Sequence, residues 1–116
     1  MKTGSIYRGE ECLLPVVWHA ANPWTRLRGL LGRKPLGAGE GLLIEPCSSV
    51  HTFGMGYALD LVFLDRGNRV VDIRENVAPW KVRGARARAR KTLELKAGGL
   101  AGLAPLIGEE FSWRAH

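Results

Sequence analysis

Polar and apolar positions alternate most clearly from Leu59 to Leu64, where Leu59, Leu61 and Phe63 are interleaved with Asp60, Val62 and Leu64. That period of two predicts a strand. Arg66, Gly67 and Asn68 separate it from the run RVVDI at 69–73. A three-residue connection containing Gly predicts an antiparallel hairpin. Upstream, the run CLLPVVWHA at 12–20 is apolar but broken by Pro15, which has no N–H to give to a ladder. It therefore reads as the first strand, at a sheet edge. Asn22 and Pro23 form a helix-start signal, a cap followed by a favourable first helical residue. The stretch TRLRGLLG behind them places Leu27, Leu30 and Leu31 on one face and Arg26 and Arg33 away from it, with Gly32 as a stop.

Further strands are expected over Gly41–Cys47, over TLELKAG at 92–98 and over GEEFSW near the end, with a helical turn in LAGLAPLI before Pro105. The sum is an α+β fold: a mainly antiparallel sheet of five to seven short strands, a candidate for barrel-like closure. One short helix follows the first strand, and a short helical turn lies near the C-terminus.

The length of 116 residues and the 46% hydrophobic content suit one domain over residues 1–116 with a self-sufficient core. No run approaches the roughly 20 apolar residues that cross a bilayer, and Glu10 and Glu11 interrupt the start, so no membrane partner and a cytoplasmic location are expected. Cys12 and Cys47 are too few for a disulfide framework and fit a reducing compartment, with a single bridge between them left open.

The net charge of +6 is local. Lys81, Arg83, Arg86, Arg88, Arg90 and Lys91 have no acid among them, and the rest of the chain carries eleven basic and eleven acidic groups. The basicity thus belongs to one segment.

The stretches LRGLLGRKPL, GEGLLI, CSSVHTFGMGYALDLVFLD, NVAPW and LELKAG, in this order and spacing, resemble the family catalogued as domain of unknown function 192, from about Val16 to Trp113. The resemblance implies a small single α+β domain and carries no established activity. Arg28, Gly29, Leu30, Leu31, Gly32 and Arg33 match one block of its pattern. His51, Thr52, Phe53 and Met55 match another, which Asp60 ends. Gly56 stands where the family typically has Arg or Lys, and Ala58 where Pro is usual, so a site relying on that cation is weakened here.

A carboxylate inside an apolar strand is costly unless it is paired or hydrogen-bonded, so Asp60 should meet Arg28, Arg33, His51 or a set of backbone N–H groups. The leading reading is a domain that binds an unidentified small ligand in a polar pocket of Arg28, Arg33, His51, Thr52, Met55 and Asp60, with Trp80 overhanging it. The plainer alternative is a paired, buried Asp60 that fixes the helix against the sheet. The second functional reading is binding of nucleic acid or an acidic protein through Lys81, Arg83, Arg86, Arg88, Arg90 and Lys91. Arg86, Arg88 and Arg90 share one face if extended, about 7 Å apart, near the spacing of phosphates on a single strand. The segment has no aromatic residue for base stacking, and its charge equally protects a sheet edge. The third reading is a hydrolase or transferase using Cys47 or Asp60 with His51. Residues four apart in an extended chain lie about 13 Å from each other, which argues against Cys47 and His51 as a catalytic pair unless a turn at Ser48 and Ser49 brings them together. Cys47, His51, Asp60 and His19 are mixed donors at unpatterned spacing, so no metal site is assigned and the cofactor is unknown.

Overall fold

The computed structural model describes residues 1–22, 34–51, 55–85 and 88–116, the side chain of His51 excepted. The chain opens with β1 (Lys2–Arg8), turns at Gly9, whose φ of 57° suits glycine, and returns antiparallel as β2 (Glu11–Ala20). Then come β3 (Glu40–Ile44), β4 (Ser49–His51), β5 (Leu59–Leu64), β6 (Val70–Val77), β7 (Val82–Gly84), β8 (Lys91–Lys96), the five-residue helix α1 (Gly99–Leu103) and β9 (Ser112–Ala115). Seven strands form one open sheet in the order β6-β5-β8-β3-β2-β1-β9, while β4 and β7 pair as a separate two-stranded ribbon. All pairs are antiparallel except β2 with β3.

The α+β expectation is corrected by this architecture. Strand makes up 54% and helix 5%, so the described fold is mostly β. The sheet stays open, ending in β6 and β9, and is no barrel. Among the described residues nine strands are present where five to seven were expected. The first of them is Lys2–Arg8, a polar stretch without a clear alternation, so the strand expected first, over 12–20, is the second. The helix expected over 23–33 lies outside the described residues. The turn before Pro105 is present as α1, and the hairpin at 66–68 joins β5 and β6.

Pro15 also sits differently from its expected edge. It lies in an interior strand, but where the β1–β2 register slips between the pairs Gly4–Val17 and Ile6–Leu14, and parallel pairing with β3 begins only at Val16. A bulge is the other place where a strand tolerates the missing N–H.

Both faces of the sheet are covered, so β5 is buried along its whole length. On one face Ile6, Leu14, Val17, Leu43, Val62, Leu93 and Leu95 pack with Leu100 and Leu103 of α1 and with Phe111. On the other, Leu42, Ile44, Leu59, Leu61 and Phe63 pack under Val50 of the ribbon, Met55 and Leu36, with Tyr57 and Cys47 half-buried beside them.

A candidate site on the ribbon face of the sheet

Asp60 follows the β5 alternation onto the α1 face and is 2% exposed. Its oxygens are fully engaged by the backbone: Oδ1 accepts from the Asn76 N–H at 2.8 Å, and Oδ2 from the N–H groups of Gly98 at 3.0 Å and Leu100 at 3.1 Å. Of the partner sets that the cost of burial allows, backbone N–H groups are the ones observed. Asn76 has a φ of 49° at an irregular point of β6, and Gly98 precedes α1, so one carboxylate ties a strand irregularity and a helix start to the central strand. The arrangement is structural.

The ribbon face holds another deeply buried acid, Glu94. In β8, Leu93 and Leu95 point to the α1 face, which turns Thr92 and Glu94 to the other. Glu94 pairs with Leu42 on one side and Leu61 on the other and is 4% exposed. No hydrogen bond or ion pair reaches it among the described residues, and burial pushes its carboxyl up to about 8, so it is neutral at pH 7. Tyr57 packs on the same face, its hydroxyl buried with no hydrogen bond of good geometry and only the Leu36 backbone near it. Burial is the main cause of its raised pKa; the backbone of Leu36 offsets part of the rise, and the potential of Glu94 adds to it. Two strands from Glu94 in the same row, through Leu61, stands Arg74. Its guanidinium donates to the Gly84 carbonyl of the ribbon at 3.0 Å and lies 3.5 Å from Asp72, but Nε–H is buried without a partner.

The residues singled out from sequence fall in several places. Met55 is buried on the ribbon face, whereas Asp60 points to the opposite one. Arg28, Arg33, Thr52 and Arg86 lie outside the described residues, as does the side chain of His51. Trp80, with a φ of 65°, is 68% exposed in the turn between β6 and β7. Lys81, Arg83, Arg88 and Arg90 are exposed. Lys91 is held by Asn68 and lies 3.6 Å from Glu45. Cys12 and Cys47 are both free, and the Cys47 thiol donates to the Ser49 carbonyl at 3.1 Å. His19 is engaged by Glu45 at 2.5 Å, and no cluster of metal-ligating side chains occurs among the described residues. No described helix is long and apolar enough to cross a membrane.

Sequence reading missed Glu94, Tyr57 and Arg74. The signal was the lone acid inside TLELK, which looks like an ordinary solvent-facing position until both faces of the sheet are known to be covered.

The profile of the DUF192 family, described as Uncharacterized ACR, matches residues 8–113. A UPF0127 protein of Pyrococcus horikoshii is 35% identical over 66 residues, 57% of this chain and 56% of that protein. A UPF0127 protein of Thermococcus sibiricus is 32% identical over 69 residues, 60% of this chain and 44% of its own length. The chain thus spans about half the length of these curated relatives. Two solved structures share the fold. One, from Sinorhizobium meliloti 1021 and described as a candidate transcription regulator, has a TM-score of 0.80 at 21% identity, covering 97% of this chain and 92% of that one. The other, a protein of unknown function from Novosphingobium aromaticivorans, has a TM-score of 0.78 at 22% identity, covering 96% and 84%. At such identities the likeness speaks for the fold alone, whereas the profile match spans nearly the whole sequence, and the chain belongs to the uncharacterised DUF192 family.

Proposed function

We propose that this chain is a cytoplasmic small-ligand-binding domain whose site lies on the ribbon face of the sheet, around Glu94 and Tyr57 and beside Met55. The observation that carries this reading is the Glu94 carboxyl, buried among Leu42 and Leu61 with no partner in the described chain. A buried polar group left unsatisfied costs roughly 1–3 kcal/mol. Perturbed acids of this kind concentrate at functional sites. Arg28, Arg33, His51 and Thr52, grouped with Met55 by the sequence pattern, are proposed as further members. Asp60 is assigned a structural role, since backbone N–H groups occupy its oxygens. Two free cysteines suit a reducing compartment.

The test is a thermal-shift screen of small acids, amines, nucleotides, sugars and peptides, followed by NMR on the Met55 methyl group. A specific ligand raises the unfolding midpoint and perturbs that methyl. A screen in which no compound does both would refute the reading.

A second reading is favoured by one feature. Arg66 of the β5–β6 turn joins Arg88 and Arg90 around one surface depression, in which Asp65 is occupied by the N–H groups of Gly67 and Arg69. Three guanidinium groups there suit the phosphates of a nucleic acid. Binding of a fluorescent oligonucleotide should weaken steeply with salt and be lost on R88E/R90E substitution. Salt-independent binding, or an unaffected double variant, would count against it.

A further inference from the structure

The chemical class of the ligand follows from what the ribbon face lacks. Three polar groups there are unsatisfied or nearly so among the described residues: the Arg74 Nε–H and the Tyr57 hydroxyl lack a hydrogen bond of good geometry, the latter feeling only the Leu36 backbone, and no side chain or backbone group bonds the buried Glu94 carboxyl. Glu94 and Arg74 share one row of the sheet, separated by Leu61, so their backbones stand about 10 Å apart, the width of two strand spacings. Leu42, Leu61, Phe63 and Met55 pack on the same face between and around them. Each of the three groups can donate a hydrogen bond, and the guanidinium can only donate. A ligand bearing acceptor oxygens on a small apolar body completes all three, whereas an ammonium group would face the Arg74 cation.

We propose that the ligand of this face is a small organic carboxylate, whose oxygens accept hydrogen bonds from the Glu94 carboxyl, the Tyr57 hydroxyl and the Arg74 Nε–H. This rests on the site proposed above. Among the described residues, the other titratable and charged groups turned to this face are Cys47, whose thiol is bonded to Ser49, Asp72, which neutralises part of the Arg74 charge, Lys96 at the end of β8, and Glu40, which accepts from the Gly37 N–H, with Arg83 opposite Val50 on the ribbon.

The experiment compares three probes of one shape on the intact chain: phenylacetate, phenylacetamide and phenethylammonium, each titrated while Met55 and Tyr57 signals are followed by NMR. Phenylacetate should bind best near pH 7 and weaken about 30-fold by pH 9.5, because the Glu94 proton is lost with a midpoint of about 8. Glu94→Gln, which still donates through its amide, should keep the affinity and abolish the pH dependence, and Tyr57→Phe should bind about tenfold more weakly. Preference for phenethylammonium, parity of phenylacetamide, or loss of binding in Glu94→Gln overturns the carboxylate assignment. So does silence from all three probes, while the site itself falls only if the broader thermal-shift screen is silent too.

Discussion

Asp60 and Glu94 are acids on adjacent strands of one sheet, buried to nearly the same degree, yet their surroundings are opposite. On the α1 face, three backbone N–H groups reach Asp60. On the ribbon face nothing described reaches Glu94, and its carboxyl is pushed up to about 8. Burial therefore does not mark a site by itself; what separates a structural acid from a candidate functional one is whether the fold supplies its partners. The α1 face uses its acid to join elements distant in sequence, whereas the ribbon face keeps an acid that the described fold leaves unused.

The largest effect expected from this contrast is on the pH dependence of stability. Below the ordinary carboxyl range near 4.5, Glu94 is protonated whether the chain is folded or not. As pH rises from there, the unfolded chain gives up the proton and the folded chain keeps it, so stability falls by about 1.4 kcal/mol per pH unit until about pH 8. Glu94→Gln should remove that slope and gain several kcal/mol at pH 8, on the order of 4–5. Parallel urea titrations at pH 5 and 8 measure it, and equal slopes in the two proteins would erase the contrast.

Asp60→Ala should act in the opposite direction. It strands three buried N–H groups and should cost about 3 kcal/mol, with Asp60→Asn losing less because one acceptor oxygen remains. An alanine variant as stable as the parent would show that the three hydrogen bonds do not hold α1 in place. The smallest effect is expected at Tyr57, where Phe removes an unpartnered hydroxyl and should stabilise the free protein by about 0.5–1 kcal/mol while weakening any ligand that used it. Thermal unfolding with and without ligand separates the two consequences.

Much of the ladder was legible in the residues because local chemistry determined it. Arg66, Gly67 and Asn68 announce the β5–β6 turn, and in the fold the Asp65 carboxylate takes the N–H groups of Gly67 and Arg69 while Asn68 adopts a φ of 65°. The need of Asp60 for partners was legible too, although which partners depended on residues 76, 98 and 100, placed by tertiary structure. Non-local pairings were not legible. The parallel match of β2 with β3 joins Val16 to Glu40 and leaves no mark in either segment. Nor does Lys2–Arg8 announce itself as a strand, since its place between β2 and β9 outweighs its weak pattern. Glu94 stayed hidden for the same reason. One acid in an alternating strand ordinarily faces water, and only the covering of Val50, Met55 and Tyr57 on that face makes it a buried one.

The contrast is tested most directly by following the Glu94 side-chain carboxyl carbon by NMR as the folded protein is titrated from acid to alkaline pH. The account predicts a midpoint near 8, with the Tyr57 ring signals moving in the same step. A midpoint in the ordinary carboxyl range, near 4.5, would mean that the fold already supplies Glu94 with a partner and would contradict the account.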